Sequence, residues 1–138
     1  MHCLTNFARR GAGRAPLARV GKLQRSASLK SRDILRCDEF DHEACGRDFS
    51  YWIERVGYLD AACATAENIA LGTGIYATPR AIFRAWIGSP GHRRNILGPY
   101  RDLGVGLQVG TFDGDRGVHV WTQHFGVPCR SSQARHRP

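Results

Sequence analysis

Residues 78–97 have the sequence TPRAIFRAWIGSPGHRRNIL, in which the signal for the start of a helix occurs twice. Each time a hydroxyl residue directly precedes a proline, first in Thr78-Pro79 and then in Ser89-Pro90. A Ser or Thr at the N-cap accepts a hydrogen bond from a free backbone N–H, and proline fits the first helical position because no N–H is needed there. The stretch therefore predicts one helix from Thr78 and a second, short helix that carries Gly91 to Ile96. Within the first, Ile82, Phe83 and Trp86 predict a buried stripe.

Two segments of alternating polarity follow these helices. LGVGLQVG (103–110) places four apolar residues on one face and glycines on the other, and VHVWTQHFGV (118–127) alternates in the same way. Between them, FDGDRG (112–117) has the composition of a turn. The three segments predict an antiparallel β-hairpin. The four apolar residues of the first strand are Leu103, Val105, Leu107 and Val109.

The chain before residue 78 predicts mostly helices. Residues 3–10 form a short helix candidate with Leu4, Phe7 and Ala8 on one side, and glycine and proline end it by residue 16. Val20 to Cys37 has apolar residues at near-helical spacing, which predicts an amphipathic helix of about four to five turns. These apolar residues are Leu23, Ala27, Ile34 and Leu35.

The middle of the chain is less regular. Residues 38–48 (DEFDHEACGRD) predict a loop, and Ser50 to Val56 predicts a short helix that Gly57 ends. Glu67 to Leu71 fits either an extended segment or a turn of helix. With helices at the front and an antiparallel sheet at the back, the chain predicts the α+β class. We expect one domain over residues 1–129 and a disordered Arg-rich tail over 130–138.

The net charge of +8 is unevenly distributed. Residues 1–36 carry +8 and residues 37–129 carry −3. A basic segment of this kind favours contact with anionic cell-wall polymer, lipid headgroups or nucleic acid. The alternative is ordinary solvation of exposed arginines, since the chain has 18 Arg and only two Lys. Nucleic acid is the least expected of these partners.

Five cysteines in a chain of 138 residues favour an oxidising compartment. Cys37 and Cys45 bracket a short loop and are candidates for one disulfide; Cys3 and Cys129 are candidates for a second that ties the ends together. The alternative is that some or all five, including Cys63, are buried free thiols. No CxxC spacing is present, so neither a zinc ribbon nor a thioredoxin-like site is indicated.

The sequence has no apolar run of 18 residues, so it predicts no transmembrane segment. Residues 1–15 lack the apolar region of a signal peptide. Export is therefore expected from the cysteines alone at this point, with no export signal in view.

Three polar residues are the candidates for a functional site. His42 lies in the polar loop and His92 at a helix start, where imidazoles can act as metal ligands or as proton carriers. Glu67 has apolar neighbours, so its carboxylate needs hydrogen-bond partners, either as a structural group or as an acid of a site. Two His and one carboxylate suffice for a zinc-like ion with open positions, or for holding a water or polar ligand without metal.

Other reactive-looking residues favour structural roles. Ser89 is better explained as an N-cap than as a nucleophile, and no GxSxG elbow is present. Asn68 is expected to hydrogen-bond the backbone. His119 and His124 lie at an odd separation on one strand, so they face opposite ways and are expected to be mainly structural.

Taken together, four segments resemble the bacterial SCP-like branch of the CAP superfamily, which includes cysteine-rich secretory proteins, insect venom antigens and plant pathogenesis-related proteins. They are AENIALGTG (66–74), the stretch 78–97, LGVGLQVG and VWTQHFG (120–126). EFDH (39–42) fits the family's Phe-x-His, and the resemblance covers residues 3–126. It implies an α-β-α sandwich with a small antiparallel sheet between helical layers, and a central cavity lined by two His and two acids.

The resemblance assigns the cavity residue by residue. His42 matches the first His, Glu67 the first acid and His92 the second His, with Asn68 beside Glu67 in the same motif. Ser89 stands where eukaryotic members have the second acid, so the set is a triad at most. Zinc or magnesium, which several members bind, would be held by His42 and His92.

Function is predicted from these observations as follows. The first expectation is a secreted protein, acting at the bacterial cell envelope, whose His/Glu cleft binds a divalent metal or a small ligand, with lipid or cell-wall polymer as partners. The alternative is a hydrolase of peptide or cell wall, in which Glu67, His42 and His92 are catalytic. The third is an electrostatic binder that uses the basic helix over residues 19–36.

Overall fold

The computed structural model describes residues 1–129, and the tail expected over residues 130–138 lies outside them. Besides three short 3-10 helices, five α-helices and four strands follow one another within these residues: α1 (His2–Gly11), β1 (Ala18–Arg19), α2 (Gly21–Cys37), α3 (Tyr51–Arg55), β2 (Ala62–Gly72), α4 (Pro79–Ile87), α5 (Pro90–Ile96), β3 (Asp102–Phe112) and β4 (Asp115–Pro128). The predicted helices are all present within one or two residues of their expected bounds. Glu67 to Leu71 takes the extended alternative, as part of β2.

The four strands form one sheet in the order β1-β3-β4-β2. β3 and β4 make the predicted antiparallel hairpin, and β2 pairs antiparallel with the other side of β4. The short β1, which was not predicted, pairs in parallel with the first residues of β3. β2 is thus an edge strand. Successive side chains along it point alternately to the two faces of the sheet, and so to the two helical layers.

Helices cover both faces of the sheet, so the α-β-α sandwich and the α+β class are confirmed. On one face α2 packs with Ile34 against Ile69, Val118 and Val120. On the other face α4 and α5 pack with Trp86 and Ile96 against Leu103, Trp121 and Phe125. Ile82 and Trp86 are buried as the 78–97 stretch predicts, and Phe83 is partly buried.

The N-caps of the two short helices differ. The Thr78 side chain accepts a hydrogen bond from the Ala81 N–H at 3.2 Å, as expected for a cap. Ser89 occupies the cap position of α5, but its side chain makes no capping hydrogen bond. α5 therefore begins at Pro90 because of the proline and its packing rather than a hydroxyl cap.

Two packing expectations were wrong in part. In α1 the buried residues are Thr5 and Arg9, whereas Phe7 is 74% exposed. Arg9 is buried because its guanidinium donates to backbone carbonyls, among them Ile96 and Gly98 at the end of α5. A charge that is fully hydrogen-bonded can replace an apolar side chain at such a position.

In β3 the glycine face packs more closely than the apolar one. A Cβ at Gly104 or Gly106 would overlap the backbone of α2, so only glycine lets the helix approach the strand this closely. On the opposite face Leu103 is buried, but Leu107 is 38% and Val109 54% exposed.

The cysteine expectations are half correct. Cys37 and Cys45 form a disulfide as predicted. The pairing of Cys3 with Cys129 was wrong, because Cys129 is joined to Cys63 and Cys3 is free and exposed. Cys63 lies at the start of β2 and Cys129 just past the end of β4, and these two strands are antiparallel neighbours. Among residues 1–129, none of the helices has the length and apolar character to cross a bilayer.

Candidate functional site

Glu67 is buried in β2, with only 5% of its surface exposed, and its side chain points towards α2. Oε1 accepts a hydrogen bond from His42 Nδ1 at 2.8 Å, and Oε2 accepts one from His124 Nε2 at 2.7 Å. The Lys30 ammonium lies 3.6 Å from Oε1. Both carboxylate oxygens are therefore engaged by the protein itself.

These contacts determine the charge of Glu67. Burial alone would raise the pKa of the Glu67 carboxyl, but the hydrogen bonds from His124 and His42, together with the nearby Lys30 charge, lower this pKa below its ordinary value. Such bonds stabilise the ionised form more than desolvation penalises it. Glu67 is thus a carboxylate at neutral pH, and both imidazoles must present N–H groups to it.

His42 is held by the loop that follows α2. The Cys37–Cys45 disulfide closes this loop, and Lys30 donates a hydrogen bond to the His42 backbone carbonyl. The His42 side chain is 53% exposed. The hydrogen bond to Glu67 raises the pKa of His42 above its ordinary value, although partial burial works against it. With Nδ1–H bound to Glu67, the Nε2 atom is the one left free to meet a ligand.

His92 lies in the first turn of α5. Asn68 Nδ2 donates to the His92 carbonyl at 3.2 Å, and the imidazole lies beside the Trp86 ring with centroids 6.4 Å apart. Burial lowers the pKa of His92, and repulsion from His42 lowers it further. Its Nδ1 is buried and has no hydrogen-bond partner within residues 1–129.

The two histidines line one cavity, although they belong to different layers of the sandwich. The cavity has a volume of about 290 Å³ and is lined by Phe40, Asp41, His42, Ile69 and His92. It opens at the β2 edge of the sheet, where the loop after α2 approaches α5. The predicted meeting of His42 and His92 is therefore observed, with Glu67 buried behind His42.

Asn68 and Ser89 do not open onto this cavity. Asn68 is completely buried, donates to Gln123 Oε1 at 3.1 Å and accepts from Asn95 Nδ2 at 2.9 Å. It can act on the cleft only through the backbone of α5 that it holds. Ser89 is half-buried and is absent from the cavity lining.

Three residues of the site were missed by sequence reasoning: Ser26, Lys30 and His124. His124 is completely buried, and its Nδ1 lies 2.6 Å from Ser26 Oγ. The Ser26 hydroxyl also donates to the Leu23 backbone carbonyl at 3.0 Å. His124 was expected to be mainly structural, but it holds Glu67 directly.

For one of these residues, Lys30, the sequence contains a signal. Lys30 occupies the apolar stripe of α2 between Ala27 and Ile34, where a charge needs a buried partner. The acid of α2, Asp33, accepts hydrogen bonds from Arg47 and Trp52 instead, so the partner of Lys30 comes from elsewhere in the chain. The spacing alone did not show that the partner was Glu67.

The donors of the site are a poor fit to a closed metal centre. Within residues 1–129, no group of three or more His, Cys, Asp or Glu side chains is arranged to hold a metal ion. Glu67 is bonded on both oxygens, so the free nitrogens of His42 and His92 are the remaining strong donors. Structural zinc sites use four protein ligands and catalytic ones three.

Residues 3–125 match the Cysteine-rich secretory protein family. The chain belongs to this CAP family. A protein of Bacillus subtilis, described as uncharacterized protein YkwD, is 35% identical over 127 residues, which cover 88% of this chain and 44% of that protein. This CAP chain thus spans less than half of the length of that relative.

Two solved structures support the same fold. An extracellular protein from Bacillus anthracis that contains an SCP domain superposes with a TM-score of 0.76 at 25% identity, covering 91% of this chain and 38% of that one. An outer surface protein from Borrelia burgdorferi superposes with a TM-score of 0.77 at 16% identity, covering 93% of this chain and 90% of that one. The bacterial SCP-like branch is therefore the correct assignment, and the Borrelia likeness shows the fold alone.

Proposed function

We propose that this CAP chain is a secreted binding module of the bacterial envelope, and that the cleft between His42 and His92 holds a small polar ligand or a divalent ion. The observation that carries the proposal is the shared cavity, in which imidazoles from two separate layers of the sandwich face one space. A small number of polar groups that point into a partly apolar pocket is typical of ligand-binding sites.

The two imidazoles offer different chemistry to a ligand. Glu67 holds the Nδ1–H of His42, so Nε2 presents a lone pair when His42 is neutral and an N–H when it is protonated. His92 has a lowered pKa and is the more readily neutral of the two. A ligand that carries both a donor and an acceptor, such as a hydroxyl or an amide, matches this pair.

A metal ion would use the same two side chains. Zinc would be held by His42 and His92 with water in the other positions, and it would supply a Lewis acid. Magnesium prefers oxygen ligands, of which the cavity offers the Asp41 carboxylate. With only two histidine ligands, we expect zinc binding to be weak compared with a three-ligand site.

Two observations support a location outside the cytoplasm. The chain forms two disulfides, which persist mainly in oxidising compartments. The Bacillus anthracis neighbour is described as an extracellular protein. Cell-wall fragments and lipids are accordingly the first ligands to test.

The test is calorimetric titration of the purified chain with zinc chloride and with soluble muropeptides. We expect His42→Ala and His92→Ala each to weaken binding at least about tenfold, which is about 1.4 kcal/mol. His119→Ala is the matched control, because His119 lies on β4 outside this cavity. If neither probe binds, or if all three variants behave alike, the cleft is not the site. Release of products from muropeptides, abolished by Glu67→Gln, would instead support the hydrolase.

A further inference from the structure

A second cavity lies where α1, β1 and the first turn of α2 meet the sheet. Its volume is about 180 Å³, and it is lined by Met1, His2, Arg19, Gln24, Val105 and Trp121. The last five of these residues come from five different elements, α1, β1, α2, β3 and β4. None of them lines the cavity between His42 and His92, so the two cavities are separate.

The second cavity contains a positive charge that the protein does not neutralise. Arg19 forms no ion pair within residues 1–129. No Asp or Glu lines the cavity, and residues 1–32 include no acid. The nearest acid of β3, Asp102, lies on the opposite face of the sheet, where it accepts a hydrogen bond from the Tyr58 hydroxyl at 2.8 Å. The Arg19 guanidinium is therefore free to meet an anion.

The hydrogen bonds of Asn6 determine which nitrogen of His2 carries the proton. Asn6 Oδ1 accepts from the Leu17 N–H at 2.8 Å and Asn6 Nδ2 donates to the Leu17 carbonyl at 3.1 Å, which fixes the orientation of the amide. The same Nδ2 lies 3.4 Å from His2 Nδ1. Because an amide nitrogen only donates, Nδ1 accepts, and the proton of the neutral imidazole is on Nε2. Burial and the Arg19 charge lower the pKa of His2, which favours this neutral form.

This Nε2–H group lacks an acceptor. Nε2 of His2 is buried and has no hydrogen-bond partner within residues 1–129. A buried donor without a partner is unfavourable, because it has lost water and gained nothing in return. Since His2 lines the cavity, a ligand held there can supply the missing acceptor. A carboxylate suits both groups, because its two oxygens can accept from an imidazole N–H and from the planar fork of an arginine.

The rest of the cavity is suited to an apolar group. Trp121 is only 8% exposed, and its indole N–H already donates to the Ala77 carbonyl at 2.9 Å, so the ring presents only carbon atoms to the cavity. Val105 lies beside it, whereas Arg19 and Gln24 are exposed at the rim. A cavity of roughly 150 Å³ holds one benzene molecule. The volume here therefore fits a single ring or an aliphatic group of similar size.

We propose that this cavity binds a small organic acid, in which a carboxylate is attached to an apolar group about the size of one ring. The carboxylate pairs with Arg19 and accepts from His2 Nε2, and the apolar group lies against Trp121 and Val105. Inorganic anions lack the apolar group and would leave this surface uncovered. The inference goes beyond the proposed function and does not rest on it, because the site shares no residue with the His42–His92 cleft.

The experiment titrates the whole chain with benzoate and with benzamide, a neutral molecule of nearly the same shape. NMR follows the binding, and nuclear Overhauser effects from the ring protons of benzoate to the Val105 methyl groups locate it. We expect benzoate to bind at least about tenfold more tightly than benzamide. Acetyl-glycyl-phenylalanine carries the same groups at the end of a peptide. Tighter binding of this peptide than of benzoate would identify a peptide terminus as the source of the carboxylate, and weaker binding a free acid.

Matched variants test the two groups that hold the carboxylate. Arg19→Gln should weaken benzoate binding at least about tenfold, whereas Arg116→Gln, which removes the same charge at an exposed position outside the cavity, should leave it unchanged. His2→Phe keeps a ring but removes the N–H, and should weaken binding about threefold to tenfold. Circular dichroism establishes that the variants are folded.

The outcome is independent of the first cleft, so His42→Ala should bind benzoate as the native chain does. Equal binding of benzoate and benzamide, or equal effects of the two arginine variants, would overturn the proposal. So would contacts of benzoate with Ile69 in place of Val105, since Ile69 lines the His42–His92 cleft. The absence of any shift at benzoate concentrations up to about 10 mM would also overturn it.

Discussion

Glu67 and His124 lie directly opposite each other on β2 and β4, and Oε2 of the carboxylate accepts a 2.7 Å hydrogen bond from Nε2 of the imidazole. This pair is buried between the sheet and α2. It links the exposed His42 to the interior of the domain, because the other carboxylate oxygen binds His42. The protonation of the cleft therefore depends on residues that a ligand does not touch.

Glu67→Gln should lower both the pKa of His42 and the stability of the fold. The amide carries no charge, so the interaction that raises the His42 pKa is lost and the buried Lys30 ammonium has no counter-ion. Removing one partner of a buried ion pair costs about 3–5 kcal/mol. NMR titration of His42 and urea unfolding measure the two effects. Glu39→Gln, at an exposed position, is the control, and an unchanged His42 titration would contradict the assignment.

Stability should depend on pH through His42 with a definite sign. The pKa of His42 is raised in the folded state, so its contribution is fully present below the unfolded value of about 6.5 and is lost as pH rises through the folded value. The difference in unfolding free energy between the native chain and His42→Gln is expected to be larger near pH 5.5 than near pH 8. Urea titrations at the two pH values measure this difference. A larger difference near pH 8 would show that the pKa of His42 is not raised in the folded state.

Glu67 should contribute with the reverse dependence. Its pKa is lowered in the folded state, so its stabilisation is present above about pH 4.5, the unfolded value, and is lost as the pH falls through the folded value. Acidification should therefore reduce the stability of the native chain as Glu67 takes up a proton, whereas a carboxyl whose pKa does not change on folding would make no such contribution. In Glu67→Gln the loss of stability at low pH should be smaller, and fluorescence followed during an acid titration measures it. An identical acid transition in both proteins would show that Glu67 is not the responsible carboxyl.

The two disulfides should differ in their contributions to stability. By the chain-entropy estimate, Cys63–Cys129, with a sequence separation of 66, contributes about 4 kcal/mol, and Cys37–Cys45, with a separation of 8, about 2.5 kcal/mol. The paired serine variants, compared by urea unfolding, should follow this order. Only Cys3 should react with a thiol reagent in the native chain, because it is free and exposed. Reaction of a second cysteine before unfolding would contradict the pairing.

Gly104→Ala should destabilise the domain by about 1–3 kcal/mol, since its Cβ would overlap the backbone of α2 at Leu23 and Gln24. Gly91→Ala is the matched control, because no atom lies within 4 Å of the position its Cβ would occupy. Alanine is the better helix former, so this control should be neutral or slightly stabilising. Thermal unfolding of both variants tests the comparison, and equal melting temperatures would show that α2 does not lie as close to β3 as described.

Much of the fold could be predicted from local patterns. The Thr78 cap and the prolines at positions 79 and 90 determined where α4 and α5 begin, and the alternation of LGVGLQVG determined β3, because these signals act between near neighbours in the chain. The resemblance to a family singled out His42, Glu67 and His92. Local patterns did not predict β1, whose two residues become a strand only because β3 lies beside them.

The sequence by itself determined which segments are helix or strand, apart from β1, and its resemblance to a family implied the sandwich they build. It made Cys37 and Cys45 candidates for a disulfide without deciding the pairing. Only the tertiary structure decided that Cys63 joins Cys129 and that Lys30 and His124 hold Glu67. The physical reason is distance along the chain: Glu67 and His124 are 57 residues apart. Which of the six histidines meets a buried carboxylate depends on the register of β2 against β4, and no local pattern encodes that register.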